Sequence, residues 1–306
     1  MNKLKRYLDD HHSLYRALEV IGIKKLSQAI RKRALNLPVN GVKKVKIVGV
    51  EMLFSLADTP SQVFFNHPFF SGELYEKEVV HHLAERLRDS SRCFVDIGAN
   101  IGYYSVLAGK ILATQGGVVH AIEMDVDNAN RIRKNLRLND LHNVSIHEVA
   151  LGDHIGSVEY YRCGSFRNTL EVSSDEQDQY SKVSALMTTM DLLIAEEAIN
   201  PVIIKIDVEG AEYIVLQGME KLLSDRALEI YCEVHVDETT GGLASFGHSI
   251  NDVWKILERH NYRVWEIPLR KDSKQSNIRI INDVRDIVES TMLYASNVQK
   301  VENISL

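Results

Sequence analysis

The sequence predicts an α/β protein built on a doubly wound, mostly parallel sheet with helices on both faces. Three observations predict it. Short apolar runs alternate with segments of helical spacing along most of the chain, the pattern of βαβ units. The stretch "PVIIKIDVEGAEYIVLQGM" changes period within itself. Val202, Ile204, Ile206 and Val208 share one face of a strand, and Ile203, Lys205, Asp207 and Glu209 the other. From Ala211 onward, Val215, Leu216, Met219, Leu222 and Leu223 form one helical stripe. Third, "FVDIGANIGYYS" joins an apolar strand to a helix through a turn carrying Gly98 and Gly102.

The elements follow in order. Residues 1–46 hold 12 Lys/Arg against 3 Asp/Glu, whereas the rest holds 24 against 39, giving +9 and −15 within a net charge of −6. The arm has helical spacing, with Leu4, Leu8, Tyr15, Leu18, Ile21, Leu26 and Ile30 among its basic residues. A helix packed on the main domain is the first reading, because most amphipathic helices bury their apolar face. A helix of residues 1–40 lying peripherally on the inner face of a membrane is the second, and a nucleic-acid patch the third. The acidic remainder argues against nucleic acid as a partner. Residues 1–69 read as this arm plus two short strands in "VKKVKIVGVEMLFSLAD", and residues 70–306 as the main domain.

In that domain "SGELYEKEVVHHLAERLRD" gives a helix with Tyr75, Val79, Val80, Leu83 and Leu87 aligned. Strands follow at Cys93–Ile97, Val118–Glu123 and Val144–Val149, separated by helices at Tyr103–Leu112 and Asn128–Leu138. Two strands, "SVEYYR" and "VSALMTTM", flank a polar loop, 164–181; loops of that length usually serve function or are disordered. A fourth parallel strand is the 201–219 stretch, a fifth runs Leu228–Val234, a sixth is "YRVWEI" and a last "TMLYA". Ser249 with Asp252 forms a capping pattern between the fifth and sixth. Cys93, Cys163 and Cys232 form no CxxC pair and read as small hydrophobes in a reducing compartment. The longest run without Asp, Glu, Lys or Arg, Thr59 to Gly72, holds two prolines and is too short to span a bilayer. No signal-peptide pattern is read at the N-terminus, so a cytoplasmic location is expected.

The glycine turn decides the cofactor class. A dinucleotide fingerprint needs glycines at 98, 100 and 103, but the chain has Asn100 and Tyr103. A P-loop needs Gly-Lys-Ser/Thr, which is absent. An acid, Asp96, followed by Gly98, Ala99, Asn100 and Gly102 suits a ligand without phosphate, held by a carboxylate and backbone amides. Glu123 ends the next strand, 25 residues after Gly98, where an acid accepts hydrogen bonds from two ribose hydroxyls. Ribose without pyrophosphate points to S-adenosylmethionine.

"FVDIGANIGYYS", "AIEMDVDN", "TTMDLL", "IIKIDVEGAEYIVLQG" and "EIYCEVH", in this order, resemble the FkbM family of S-adenosylmethionine-dependent methyltransferases over roughly 70–267. The resemblance implies a class I methyltransferase fold, Rossmann-like and seven-stranded, with the antiparallel strand near its end. It also implies methylation of a hydroxyl on a sugar, glycan, glycolipid or secondary metabolite. "EMDVDN" departs from the family, which commonly has proline after the Glu. Carried over, Asp96 would fix the turn and bind the methionine amino group, Gly98 and Gly102 would clear space, Asn100 would hydrogen-bond the cofactor, and Ala150 would lie by the adenine.

Asp207, Glu209, Glu233 and His235 are the catalytic candidates, gathered at the tips of the fourth and fifth strands, where open α/β sheets bind ligands. Asp207 would face the sulfonium and hold the cofactor amine or act on the acceptor. Transfer to a weakly acidic hydroxyl needs a base. His235 has the most suitable ordinary pKa, with Asp207 or Glu209 as substitutes if desolvation raised theirs. Alternatives are a divalent ion such as Mg²⁺ held by Asp207, Glu209, Glu233 and His235, or structural pairing of Lys205 with Asp207 or Glu233. Glu212 reads as a helix first-turn residue and no more. Loops 164–181 and 237–248, with Phe166, Arg167 and His248, are candidate acceptor walls. A non-catalytic nucleoside-binding module is a competing reading, and a nicotinamide-dependent sugar oxidoreductase is disfavoured by the missing glycines.

Overall fold

The computed structural model describes residues 41–58, 61, 64–65, 70–71, 74–89, 92–162, 168–169, 181–236, 242–269 and 278–298. The basic arm 1–40, Phe166, Arg167 and Cys163 lie outside them, as do most of loop 164–181 and residues 237–241.

A hairpin opens the described chain: β1 (Val42–Ile47) and β2 (Val50–Ser55) pair antiparallel. Val48 and Gly49 between them both take positive φ, 45° and 82°, the two-residue turn whose twist matches the flanking strands. The hairpin is built into the main core. Met52 and Phe54 are fully buried beside residues of the following helices, and Ser55 N–H donates to Asn135 Oδ1 at 2.9 Å.

Eight strands form the central sheet among the described residues. These include β3 (Cys93–Ile97), β4 (Val118–Ile122), β5 (Val144–His147), β8 (Ile203–Ile206) and β9 (Glu229–Val234). To them the chain adds β10 (Arg263–Ile267), β11 (Arg279–Ile281) and β12 (Thr291–Ser296). The spatial order is β11-β10-β12-β9-β8-β3-β4-β5. From β5 to β9 all pairs are parallel, and β12 inserts antiparallel between β9 and β10. This is the doubly wound class I methyltransferase arrangement, with its antiparallel strand β12 set between β9 and β10. The expected seven strands become eight because Arg279–Ile281, unread in the sequence, pairs antiparallel with the edge strand β10. Three residues give too short an alternation to register as a strand.

Helices cover both faces. On one, α1 (Lys77–Asp89), α2 (Tyr103–Ala113) and α3 (Val126–Leu138) pack with the hairpin through Leu83, Leu107 and Ile132. On the other lie α4 (Met190–Glu197), α5 (Glu212–Gln217), α6 (Glu220–Asp225) and α7 (Ile250–Arg259). α7 begins with the expected cap, Asp252 accepting Ser249 N–H at 2.8 Å. The stripe expected as one helix after Ala211 divides into α5 and α6. At the break, a side chain on Gly218 would sit 1.8 Å from the Gly152 carbonyl oxygen, so the crossing loop needs a glycine there. The predicted hairpin around loop 164–181 is present as β6 (Gly156–Arg162) and β7 (Ser181–Thr188) in a separate small sheet.

Candidate functional site

The two faces of the central strands differ in chemistry. Val95, Ile97, Ile204, Ile206, Cys232 and Val234 point to the α5–α7 side and are apolar. The alternate residues, Asp96, Lys205, Tyr231 and Glu233, are all buried on the α1–α2 side. Register sets Lys205 beside both Asp96 and Tyr231. The alternation seen in the sequence therefore delivers a polar seam to the carboxyl ends of β3, β8 and β9.

The turn after β3 is held by backbone. Gly98 N–H and Ala99 N–H both donate to the Ile122 carbonyl, at 3.0 and 3.1 Å, tying the turn to the tip of β4. Gly98 has φ 78°, and a side chain there would meet the Asp207 carbonyl oxygen at 1.9 Å. Gly102 has φ 82°, and its missing side chain faces Ile132. Both glycines thus leave room that the chain's own packing occupies. Asn100 is left-handed, with φ 53°, and its N–H donates to Glu123 Oε2 at 2.7 Å. Asp125 N–H donates to Glu123 Oε1 at 2.9 Å. One carboxylate thereby spans both turns. Burial raises its pKa to about 7 against the lowering effect of those two N–H groups. Asp96, 1% exposed, accepts the Ser105 hydroxyl at 2.5 Å. Burial raises its pKa too, with Lys205 and Ser105 opposing.

At the tips of β8 and β9 the groups are held by one another. Lys205 Nζ donates to Asp207 Oδ2 at 2.8 Å and lies 4.6 Å from the centre of the Tyr104 ring. Burial opposes the Lys205 charge, but Asp207, Asp96, Glu76 and Glu233 outweigh it and its pKa is raised. Burial likewise opposes ionisation of Asp207, yet Lys205 and His235 hold its pKa below the usual range. His235 Nε2 lies 3.3 Å from Glu233 Oε1 and 4.0 Å from Glu209 Oε2, while its Nδ1 lies 4.0 Å from Glu212 Oε1. Glu233 rises to about 7 through burial and the charge of Asp207, with His235 opposing.

Two expectations change here. The ordinary pKa that favoured His235 as base is not kept. Burial would lower it, but the bond to Glu233 and the charges of Glu233, Glu209 and Glu212 raise it to about 10. The ring is an imidazolium at neutral pH. Glu212, read as a plain first-turn residue, is fully buried and accepts Gly210 N–H at 2.9 Å and Val208 N–H at 3.3 Å. It ties down the turn through Glu209, whose φ is 54°.

The site thus unites Asp96, Gly98, Ala99, Asn100, Gly102 and Glu123 with Asp207, Glu209, Glu233 and His235. Ala150 lies in the two-residue strand Ala150–Leu151, which pairs in parallel with Met187 and Thr188 of β7. Sequence reasoning missed Glu76, Tyr104 and Asp125. Only Asp125 left a signal: an acid three residues before Asn128, whose N–H it caps at 2.9 Å while also accepting Tyr160 O–H and Arg162 Nε. Of the four positions weighed for Mg²⁺, Asp207 is paired with Lys205, and His235 lies against Glu233 and Glu209. Among the described residues no set of three or more His, Cys, Asp or Glu is arranged to hold a metal ion. Nor, among them, is any helix long and apolar enough to cross a membrane. A surface groove of about 240 Å³ lined by Trp254, Tyr262 and Arg263 lies at the amino end of β10, opposite the strand tips.

The sequence profile of the methyltransferase FkbM domain matches residues 96–264, more than half of the chain. No curated protein matches by sequence. Among solved structures, a methyltransferase FkbM from Methylobacillus flagellatus is 22% identical, covering 67% of this chain and 43% of its own, with a TM-score of 0.40. The chain therefore spans less than half the length of that protein. A SAM-dependent methyltransferase from Aquifex aeolicus is 14% identical, covering 78% and 98%, with a TM-score of 0.43. A SAM-dependent O-methyltransferase from Thermotoga maritima is 12% identical, covering 85% and 79%, with a TM-score of 0.39. The strand order, rather than these superpositions, identifies the fold.

Proposed function

Since the chain belongs to the methyltransferase FkbM family, we propose that it binds S-adenosylmethionine across the tips of β3 and β4 and transfers its methyl group to a hydroxyl. Glu123 carries the reading. Each of its carboxylate oxygens already takes one backbone N–H, and each keeps a lone pair for a ribose hydroxyl. The turn at Gly98–Gly102 spends its Gly98, Ala99, Asn100 and Gly102 N–H groups within the protein and carries no phosphate-binding residue, which suits an adenosyl-sulfur ligand better than a dinucleotide. Asp96 and Asp207 flank that turn and favour the cationic methionine end of the cofactor.

The proton acceptor in this reading is Glu233. With a pKa near 7 it is substantially ionised at neutral pH and basic enough to take a hydroxyl proton as the new bond forms. His235, cationic beside it, orients that carboxylate and receives part of the charge. The acceptor is a hydroxyl on a sugar, glycan, glycolipid or secondary metabolite, following the family resemblance, and the reaction is placed in the cytoplasm. The basic arm 1–40 adds a contact with the inner membrane face. Flotation with anionic vesicles tests that contact; equal flotation with and without residues 1–40 would remove it.

Calorimetry with S-adenosylmethionine, S-adenosylhomocysteine and NAD, with and without Mg²⁺, tests the cofactor. Binding of both adenosyl-sulfur ligands and not NAD is expected. Absence of both would overturn the proposal. With the cofactor secured, a screen of hydroxylated acceptors should give S-adenosylhomocysteine release that Glu233→Gln abolishes while ligand affinity is retained.

A further inference from the structure

Glu76 lies ahead of the region that matches the family and outside every motif that carries the resemblance. It is 3% exposed and has φ 46°, in the single residue between the short strand Leu74–Tyr75 and α1. A side-chain-bearing residue in the left-handed region is strained, and a buried carboxyl is desolvated. Both penalties fall on one residue. Its backbone serves α1 through Val80 N–H to the Glu76 carbonyl at 3.0 Å, which any residue could supply. The side chain does something else.

It accepts the hydroxyl of Tyr104. Tyr104 is the second residue of α2, two past Gly102, and its ring stands 4.6 Å from Lys205 Nζ. Lys205 in turn donates to Asp207 at 2.8 Å. The Asp207 carbonyl closes on the bare face of Gly98, and Lys205 is in register with Asp96. A continuous set of contacts therefore runs from the start of α1, through the first turn of α2, to the tip of β8 beneath the glycine turn. We infer that Glu76 is a positioning residue of the cofactor site, holding the Tyr104 ring against Lys205 and so fixing the Lys205–Asp207 pair under that turn. The inference rests on the cofactor reading above. Glu76 also faces Glu233, Lys205 and Asp207 electrostatically. Burial and Glu233 raise its pKa to about 8, so most of the population carries a proton at neutral pH.

The test uses the full chain and S-adenosylhomocysteine, with affinity by calorimetry and melting temperature measured on each variant. Glu76→Met removes the acceptor at similar volume, Tyr104→Phe removes the donor, and Glu76→Gln keeps an acceptor for the Tyr104 hydroxyl. Glu76→Met and Tyr104→Phe should each weaken binding about tenfold with little change in melting temperature, and together no more than either alone, because they break one contact. Glu76→Gln should recover affinity to within about threefold of wild type. Unchanged affinity in Glu76→Met, or a loss that simply follows a fall in melting temperature, would overturn the assignment while leaving the cofactor reading intact. A wild-type protein that binds no S-adenosylhomocysteine would overturn both.

Discussion

On the β3–β4 side of the site one carboxylate, Glu123, meets two backbone N–H groups. On the β8–β9 side Lys205, Asp207, Glu233, His235, Glu209 and Glu212 meet mainly one another. The first arrangement is fixed by chain geometry: in a turn of left-handed Gly98, Asn100 and Gly102, Gly98 N–H is held by the Ile122 carbonyl, Asn100 N–H by Glu123 and Gly102 N–H by the Ala99 carbonyl. In the second, each charge is tolerated only because its neighbours are charged. The difference teaches where to expect binding and where chemistry. A rigid turn with a doubly anchored carboxylate suits a ligand of constant shape, whereas a coupled set of acids and bases can relocate a proton.

If the turn side is governed by backbone, its glycines should be the most sensitive positions in the site. Gly98→Ala places a methyl group 1.9 Å from the Asp207 carbonyl oxygen at a residue with φ 78°. Gly116 has a similar φ of 70° but nothing within 4 Å of its missing side chain. Gly116→Ala should cost about 1 kcal/mol from backbone strain alone, and Gly98→Ala at least about 4 kcal/mol, since both strands would have to part. Chemical denaturation of the two variants measures the contrast. Similar losses would mean that the close approach of β3 and β8 is not what Gly98 provides.

The strand-tip side should break through charge. Lys205→Met removes the cation that Asp207 and Asp96 face and leaves their carboxylates buried without it. A loss of about 3 kcal/mol is expected at neutral pH, and it should be partly regained with Asp207→Asn added, because the pair is one interaction. Denaturant midpoints of the two single variants and the double variant form the cycle. Strict additivity would show that Lys205 is paired elsewhere.

The same contrast explains what the chain disclosed before its structure was known. The parallel sheet and the glycine turn were legible because both write themselves in short-range patterns: period two in Ile203–Ile206, and Asp96, Gly98 and Gly102 at fixed spacing. The convergence of Asp207, Glu209, Glu233 and His235 was legible too, since strand tips bring such positions together. The protonation states were not. His235 looked like a base because a lone histidine titrates near neutrality, and only the three surrounding carboxylates turn it into an imidazolium. Glu76 left no sign, as its partner Tyr104 is 28 positions away and its burial depends on how α1 docks on α2. The β11 edge strand was lost to brevity.

A further prediction separates Glu123 from His235, because the two contributions are exhausted at different pH, near 7 and near 10. Glu123 has its folded pKa raised from 4.5 to about 7 by burial. Its contribution to stability is therefore complete below the unfolded value and is lost as pH rises through about 7. His235 is raised from 6.5 to about 10, so its contribution is complete below 6.5 and lost as pH rises through about 10. Glu233 and Glu212, both raised to about 7, act in the same direction as Glu123. Asp207, depressed, loses its contribution only as pH falls below the ordinary carboxylate range. The ligand-free protein should thus grow less stable from about pH 5 to pH 10, against the usual rise toward neutrality. Glu123→Gln, a permanent mimic of the protonated acid, should flatten the decline between about pH 5 and 8 by about 2 kcal/mol. His235→Gln should leave the segment below about pH 6.5 and flatten the one from about pH 6.5 to 10. Denaturant midpoints across pH for the three proteins decide the matter. A Glu123→Gln protein whose stability changes between pH 5 and 8 as the wild type's does would mean that Glu123 is ionised without penalty, and that its two N–H partners outweigh its burial.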